Sequence, residues 1–112
     1  MEPRPALHRG ARQTELLHER IQGRGLRPGA YALFFVSGEG TALPISRPGD
    51  DVEETSGYVI DRAGRVYSFW FGWDAKERRA DILEWEEVCA EPDWLSSPEY
   101  RAARALVGLP AP

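Results

Sequence analysis

The chain predicts an α+β domain: a small antiparallel sheet of four to five strands with one helix near each end. Three observations carry that prediction. Residues 57–73, GYVIDRAGRVYSFWFGW, read as a β-hairpin. Residues 31–36, YALFFV, form a near-continuous apolar run of strand length, the pattern of a buried strand rather than an edge. Helical apolar spacing backed by capping residues is clearest at the two ends of the chain.

With 112 residues the chain has the size of one domain with a single core. Residues 1–10 are expected to be a flexible arm, 11–108 the domain and 109–112 a tail. Four Trp, four Tyr and four Phe argue for a packed interior rather than disorder.

The first helix is expected over 11–22. Leu17 and Ile21 share a face there, Leu16 borders it, and Gly23 stands where a C-terminal glycine belongs. After the connector GRGLRPG comes the strand 31–36, in which Phe34 and Phe35 point to opposite sides. A minor strand at 41–45 is expected to fold back on it. Residues 50–55 read as a solvated loop.

The hairpin strands are expected at 57–61 and 65–73. Asp61-Arg62-Ala63-Gly64 suits a type I turn closed by glycine in the left-handed region. That register places Val59 opposite Tyr67 and Gly57 opposite Phe69. One face then collects Val59, Tyr67, Phe69, Phe71 and Trp73, and the other Tyr58, Ile60, Val66 and Trp70. Both faces are apolar, so the sheet needs two covers: either helices above and below make both faces core, or one face is reserved for a partner or ligand.

For residues 74–90 two readings compete. Asp74 and Glu77 make a capping box for a helix, with Ala75, Ile82, Trp85, Val88 and Cys89 on one stripe. The other reading takes DAKERR as a hairpin loop and 80–88 as a strand, with Leu83 and Trp85 on one side and Ile82 and Val88 on the other. The strand is preferred, because Leu83 falls off the helical stripe and the hairpin needs an edge partner. Pro92 ends either element. The last helix is expected at 97–107, capped by Ser96 or Ser97, with Tyr100, Ala103, Leu106 and Val107 as its apolar face and Gly108 as its stop. Trp94 and Leu95 are expected to anchor it to the sheet.

The net charge of −4 hides an asymmetry. Residues 1–30 carry six Arg against three Glu, a net +3, while the remainder carries eight basic and fifteen acidic groups, a net −7. A basic N-terminal segment can meet nucleic acid through Arg9, Arg12, Arg20, Arg24 and Arg27. The simpler expectation is that it folds back over its own acidic body.

Little else suggests chemistry. His8 and His18 lack partners at metal-ligand spacing, so neither a metal nor another cofactor is expected. No Gly-x-Ser-x-Gly elbow is present. The lone Cys89 sits among Glu86, Glu87 and Glu91 and is expected to be a small buried apolar residue. The carboxylates at 50–54 and 84–87 are sequence neighbours, which suits solvated faces better than a cleft. The glycine loop SGEGT at 37–41 lacks the Lys-Ser/Thr of a phosphate loop. Without an apolar run of membrane length, a soluble cytoplasmic protein is the default expectation.

The reading that follows is a small interaction or regulatory module without catalytic chemistry, which makes protein contacts through an aromatic sheet face. Tyr67, Phe69, Phe71 and Trp73 are the expected surface, and a homodimer apposing these faces is the simplest version. The alternatives are a nucleic-acid accessory using the basic segment, with Tyr67, Phe69 and Phe71 as a stacking platform, or a small-molecule site floored by the same aromatics.

Overall fold

The computed structural model describes residues 5–36, 42–44 and 53–112, with side chains at 14–36 and 54–112. Helix α1 spans Pro5–Gln22, and strands β1 to β5 span Tyr31–Phe34, Ala42–Pro44, Glu53–Asp61, Val66–Asp74 and Arg79–Val88. A 3-10 segment, Pro92–Ser96, leads into helix α2, Pro98–Leu106. The sheet is antiparallel, in the order β1-β3-β4-β5. The α+β arrangement is therefore as expected, and no helix among the described residues is long and apolar enough to cross a membrane.

Several boundaries differ, each for a physical reason. Helix α1 begins at Pro5, within the segment expected as a flexible arm. Proline is well suited to a first helical turn, where its missing N–H would have no intrahelical partner. Gly10 is accommodated inside the helix at a cost of about 1 kcal/mol relative to alanine. The glycine in the left-handed region after α1 is Gly25, at φ 99°, rather than Gly23.

Strand β2 does not fold back on β1. It pairs with the beginning of β3, Ala42 with Thr55 and Pro44 with Glu53, while β1 pairs with the end of β3. The two short strands thus follow one another along the same edge, and β3 extends back to Glu53 because β2 gives it a partner there.

The central hairpin has the expected register, with Val59 opposite Tyr67 and Gly57 opposite Phe69. Gly64 adopts φ 86°. The Asp61 carboxylate accepts from the Ala63 and Arg65 N–H groups at 2.9 Å each, which locks the turn. At the next turn the Asp74 carboxylate accepts from the N–H groups of Lys76 and Glu77. The capping chemistry legible in Asp74 and Glu77 therefore serves a hairpin loop, and 79–88 is a strand.

Two clusters fill the two sides of the sheet. Under α1 lie Leu17, Ile21, Tyr31, Val59, Phe69, Phe71, Ala80 and Ile82. On the other side Ala32, Phe34, Ile60 and Val66 meet Trp94, Tyr100, Ala103 and Val107. Phe34 and Phe35 do take opposite sides. In α2 the buried stripe is Tyr100, Ala103 and Val107; Leu106 is 75% exposed, and Leu95 also faces solvent. The expected tail is tied down, since Leu109 packs on the second cluster and Arg104 Nε donates to the Pro110 carbonyl.

Gly57 shows how tightly the first cluster is built. A Cβ at this position would overlap the ring edge of Phe35. Gly57→Val is expected to lower stability by about 1–3 kcal/mol, the usual cost of overpacking, as read by urea unfolding. An unchanged midpoint would mean that the Phe35 ring moves aside freely.

Candidate functional site

The aromatic face expected to meet a partner is largely internal. Phe69 and Phe71 are 3% and 0% exposed and belong to the cluster beneath α1. In the single subunit neither presents surface to another molecule. The cover extends beyond the helical stripe: besides Leu17 and Ile21, the side chains of Leu26, Leu33, Phe35 and Trp85 pack against this cluster.

Tyr67 and Trp73, at the two ends of the stripe, remain half-buried. The Tyr67 ring stacks on Trp85 at a centroid distance of 5.0 Å and 19° between planes. The Arg24 guanidinium lies 5.3 Å from the Trp85 ring, a cation–π contact. A stacking platform for bases is thus occupied by the protein's own side chains.

The basic segment partly folds over the acidic body. Arg20 donates through Nε to the Ala80 carbonyl at 3.0 Å and lies 3.6 Å from the Asp81 carboxylate. Arg20 and Arg24 are therefore both engaged within the chain, while Arg27 is exposed. The side chains of Arg9, Arg12 and His8, the loop at 37–41 and most of the carboxylate cluster at 50–54 lie outside the described residues.

His18 takes a different part from a metal ligand. Its Nδ1 is 2.5 Å from the Tyr31 hydroxyl, which also accepts from Gln22 Nε2 at 3.2 Å. Among the described residues no three His, Cys, Asp or Glu side chains are grouped to hold a metal ion. Cys89 is exposed rather than buried, because β5 ends at Val88 and the chain leaves the sheet there.

The uncovered apolar surface lies on the opposite side of the same hairpin. The 3-10 segment and α2 cover β1 and the adjoining part of β3, where Trp94 packs against Phe34, Tyr58 and Tyr100. That cover does not enclose the far corner. Trp70 is 39% exposed and Leu83 40%.

A bulge brings these two together. The β4–β5 register shifts between Trp70 and Phe71, with Trp70 opposite Glu84 and Phe71 opposite Ile82. Ile82 and Trp85, three positions apart, consequently share the α1 side. Leu83 and Glu84 are left opposite Trp70, on the other side. Strict alternation would have put Leu83 beside Trp85; only the bulge separates them, and no local residue pattern announces it. Alternation along β4 puts Trp70 on this face, whereas the count of aromatics favours the other. Exposed Glu84 and Glu86 border the Trp70–Leu83 pair.

No family model matches this chain, and neither a curated protein nor a solved structure does.

Proposed function

We propose that the chain is a non-catalytic interaction module that meets a protein partner through the corner formed by Trp70 and Leu83. The observation that carries this reading is the exposure of a tryptophan and a leucine side by side on a hairpin whose other large apolar residues are buried or half-buried. Tryptophan is enriched at the centres of interfaces, where a polar rim excludes water around it. Glu84 and Glu86 form such a rim here and favour a partner with Arg or Lys around an apolar pocket.

A homodimer through this corner is less favoured. In a two-fold contact the same patch meets itself. Glu84 and Glu86 would then be drawn toward their own copies, and like charges in an interface are costly.

The test compares the wild type with a Trp70→Ser/Leu83→Ser variant in a two-hybrid screen, followed by titration of the purified pairs. A basic partner should lose about tenfold or more in affinity, equivalent to at least ~1.4 kcal/mol, while circular dichroism of the variant stays unchanged. Partners that bind the variant as tightly as the wild type would place the contact elsewhere.

A further inference from the structure

The sheet has a second surface of a different kind, the open edge of β1. In an antiparallel strand the N–H and C=O of one residue point to the same lateral side, and successive residues alternate. The Asp61 N–H donates to the Arg65 carbonyl at 3.0 Å, so Asp61 turns its main chain toward β4. By alternation Val59 does the same, while Ile60 and Tyr58 turn theirs toward β1. Those two residues pair with Ala32 and Phe34. The main-chain N–H and C=O of Tyr31 and Leu33 therefore point out of the sheet. β1 stands at the end of the strand order, and among the described residues no hydrogen bond reaches these four groups.

This edge is the floor of a groove of about 450 Å³, the size of a ligand cleft. His18 and Gln22 of α1 form one wall, and Leu106 of α2 stands on the other. Pro28 and Gly29 close one end. The exposure of Leu106 is explained by this position: it sits beside the open edge, off the buried stripe of α2. The opposite edge of the sheet is different. There Arg20 bonds the Ala80 carbonyl, and Glu84, Glu86 and Glu87 charge β5, a common way to block strand addition.

We propose that the β1 edge groove binds an extended peptide segment of another protein, which adds to the sheet as a strand beside Tyr31 and Leu33. Unpaired main-chain donors and acceptors in a row are matched by another main chain. Four residues of β1 offer about 13 Å of ladder. Alternate side chains of the peptide would face Leu106 on one side and the His18–Gln22 wall on the other. Among the described residues no carboxylate lines the groove, and exposed Arg27 adjoins Pro28 at its end. The charge balance therefore selects peptides that combine apolar residues with an acidic one. This rests on the reading of the chain as a contact module but uses a surface separate from Trp70 and Leu83.

Panning short random peptides displayed on phage against the full chain tests the proposal. Enriched sequences should alternate, carry an acidic residue, and protect the Tyr31 and Leu33 amide protons from exchange when bound. Leu106→Asp, at a position too exposed to affect folding, should weaken them by about tenfold. Leu33→Pro deletes an outward N–H that the β3 pairing does not use, along with a side chain packed on the first cluster; with circular dichroism unchanged it should abolish binding. Trp70→Ser should leave peptide affinity unchanged, so this test and that of the Trp70 corner fail independently. Three results would overturn the idea: no enrichment, peptides indifferent to Leu106→Asp and Leu33→Pro, or a wild-type dimer that Leu33→Pro converts to monomer.

Discussion

Phe71→Ala is expected to lower the unfolding free energy by about 3–5 kcal/mol, measured by urea denaturation. The ring is fully buried between the sheet and α1, among Leu17, Ile21, Val59 and Phe69. Its removal deletes the transfer free energy and leaves a cavity that a sheet residue cannot close by shifting alone. For a domain whose total stability is about 5–15 kcal/mol, this is a large share. The neighbouring Trp70 provides the control. At 39% exposure, Trp70→Ala should cost only about 1–2 kcal/mol. Equal losses at the two positions would mean that both faces are core, and the contact surface assigned to Trp70 and Leu83 would have to be given up.

Trp94→Ala is expected to cost about 3–5 kcal/mol, and Trp94→Phe to change stability by only about 1 kcal/mol. Trp94 is 1% exposed and sits at the centre of an aromatic cluster, with ring centroids 5.4 Å from Phe34, 4.6 Å from Tyr58 and 5.6 Å from Tyr100. Its indole N–H is buried with no hydrogen-bond partner among the described residues. An unpaired buried donor costs about 1–3 kcal/mol. Phenylalanine keeps the ring contacts and removes that donor, so the loss of volume is offset. Thermal or chemical unfolding of both variants decides the matter: if Trp94→Phe is as damaging as Trp94→Ala, the N–H is satisfied and contributes.

The same two residues show where reading the sequence succeeds. Alternation along a strand is a local property, and it puts Phe71 and Trp70 on opposite faces, as the structure has them. The 61–64 turn, the hairpin register and a serine cap at Ser96 or Ser97 are legible for the same reason; the structure chooses Ser97, whose hydroxyl accepts from the Tyr100 N–H. Each depends on a few adjacent residues and on backbone sterics. The strand at 79–88 was legible through Leu83, whose position suited no helix, although the bulge then sent that leucine to the other side.

Which surfaces face solvent was not legible, because burial is a property of the whole packing. The tally of apolar residues leaves open whether both sheet faces are core or one is left for a partner; α1 with Leu26, Leu33, Phe35 and Trp85 covers the richer face, and the 3-10 segment with α2 covers most of the other. Contributions from the connector and the edge strand do not show a helical or strand period, so they were not counted as cover. The path of β2 along β3 is likewise a long-range choice among edges, invisible in the few residues that make it.

The amino-acid order alone determined the α+β class, the hairpin with its turn and the two-sided apolar demand, since these follow from side-chain periodicity and local backbone preference. Tertiary structure decided that Phe69 and Phe71 are core, that Trp70, Leu83 and Leu106 remain in reach of solvent, and that β1 ends the sheet with Tyr31 and Leu33 turned outward. Those outcomes depend on how long each helix is and which strand edge it leaves open, and such distances are set only when distant segments meet.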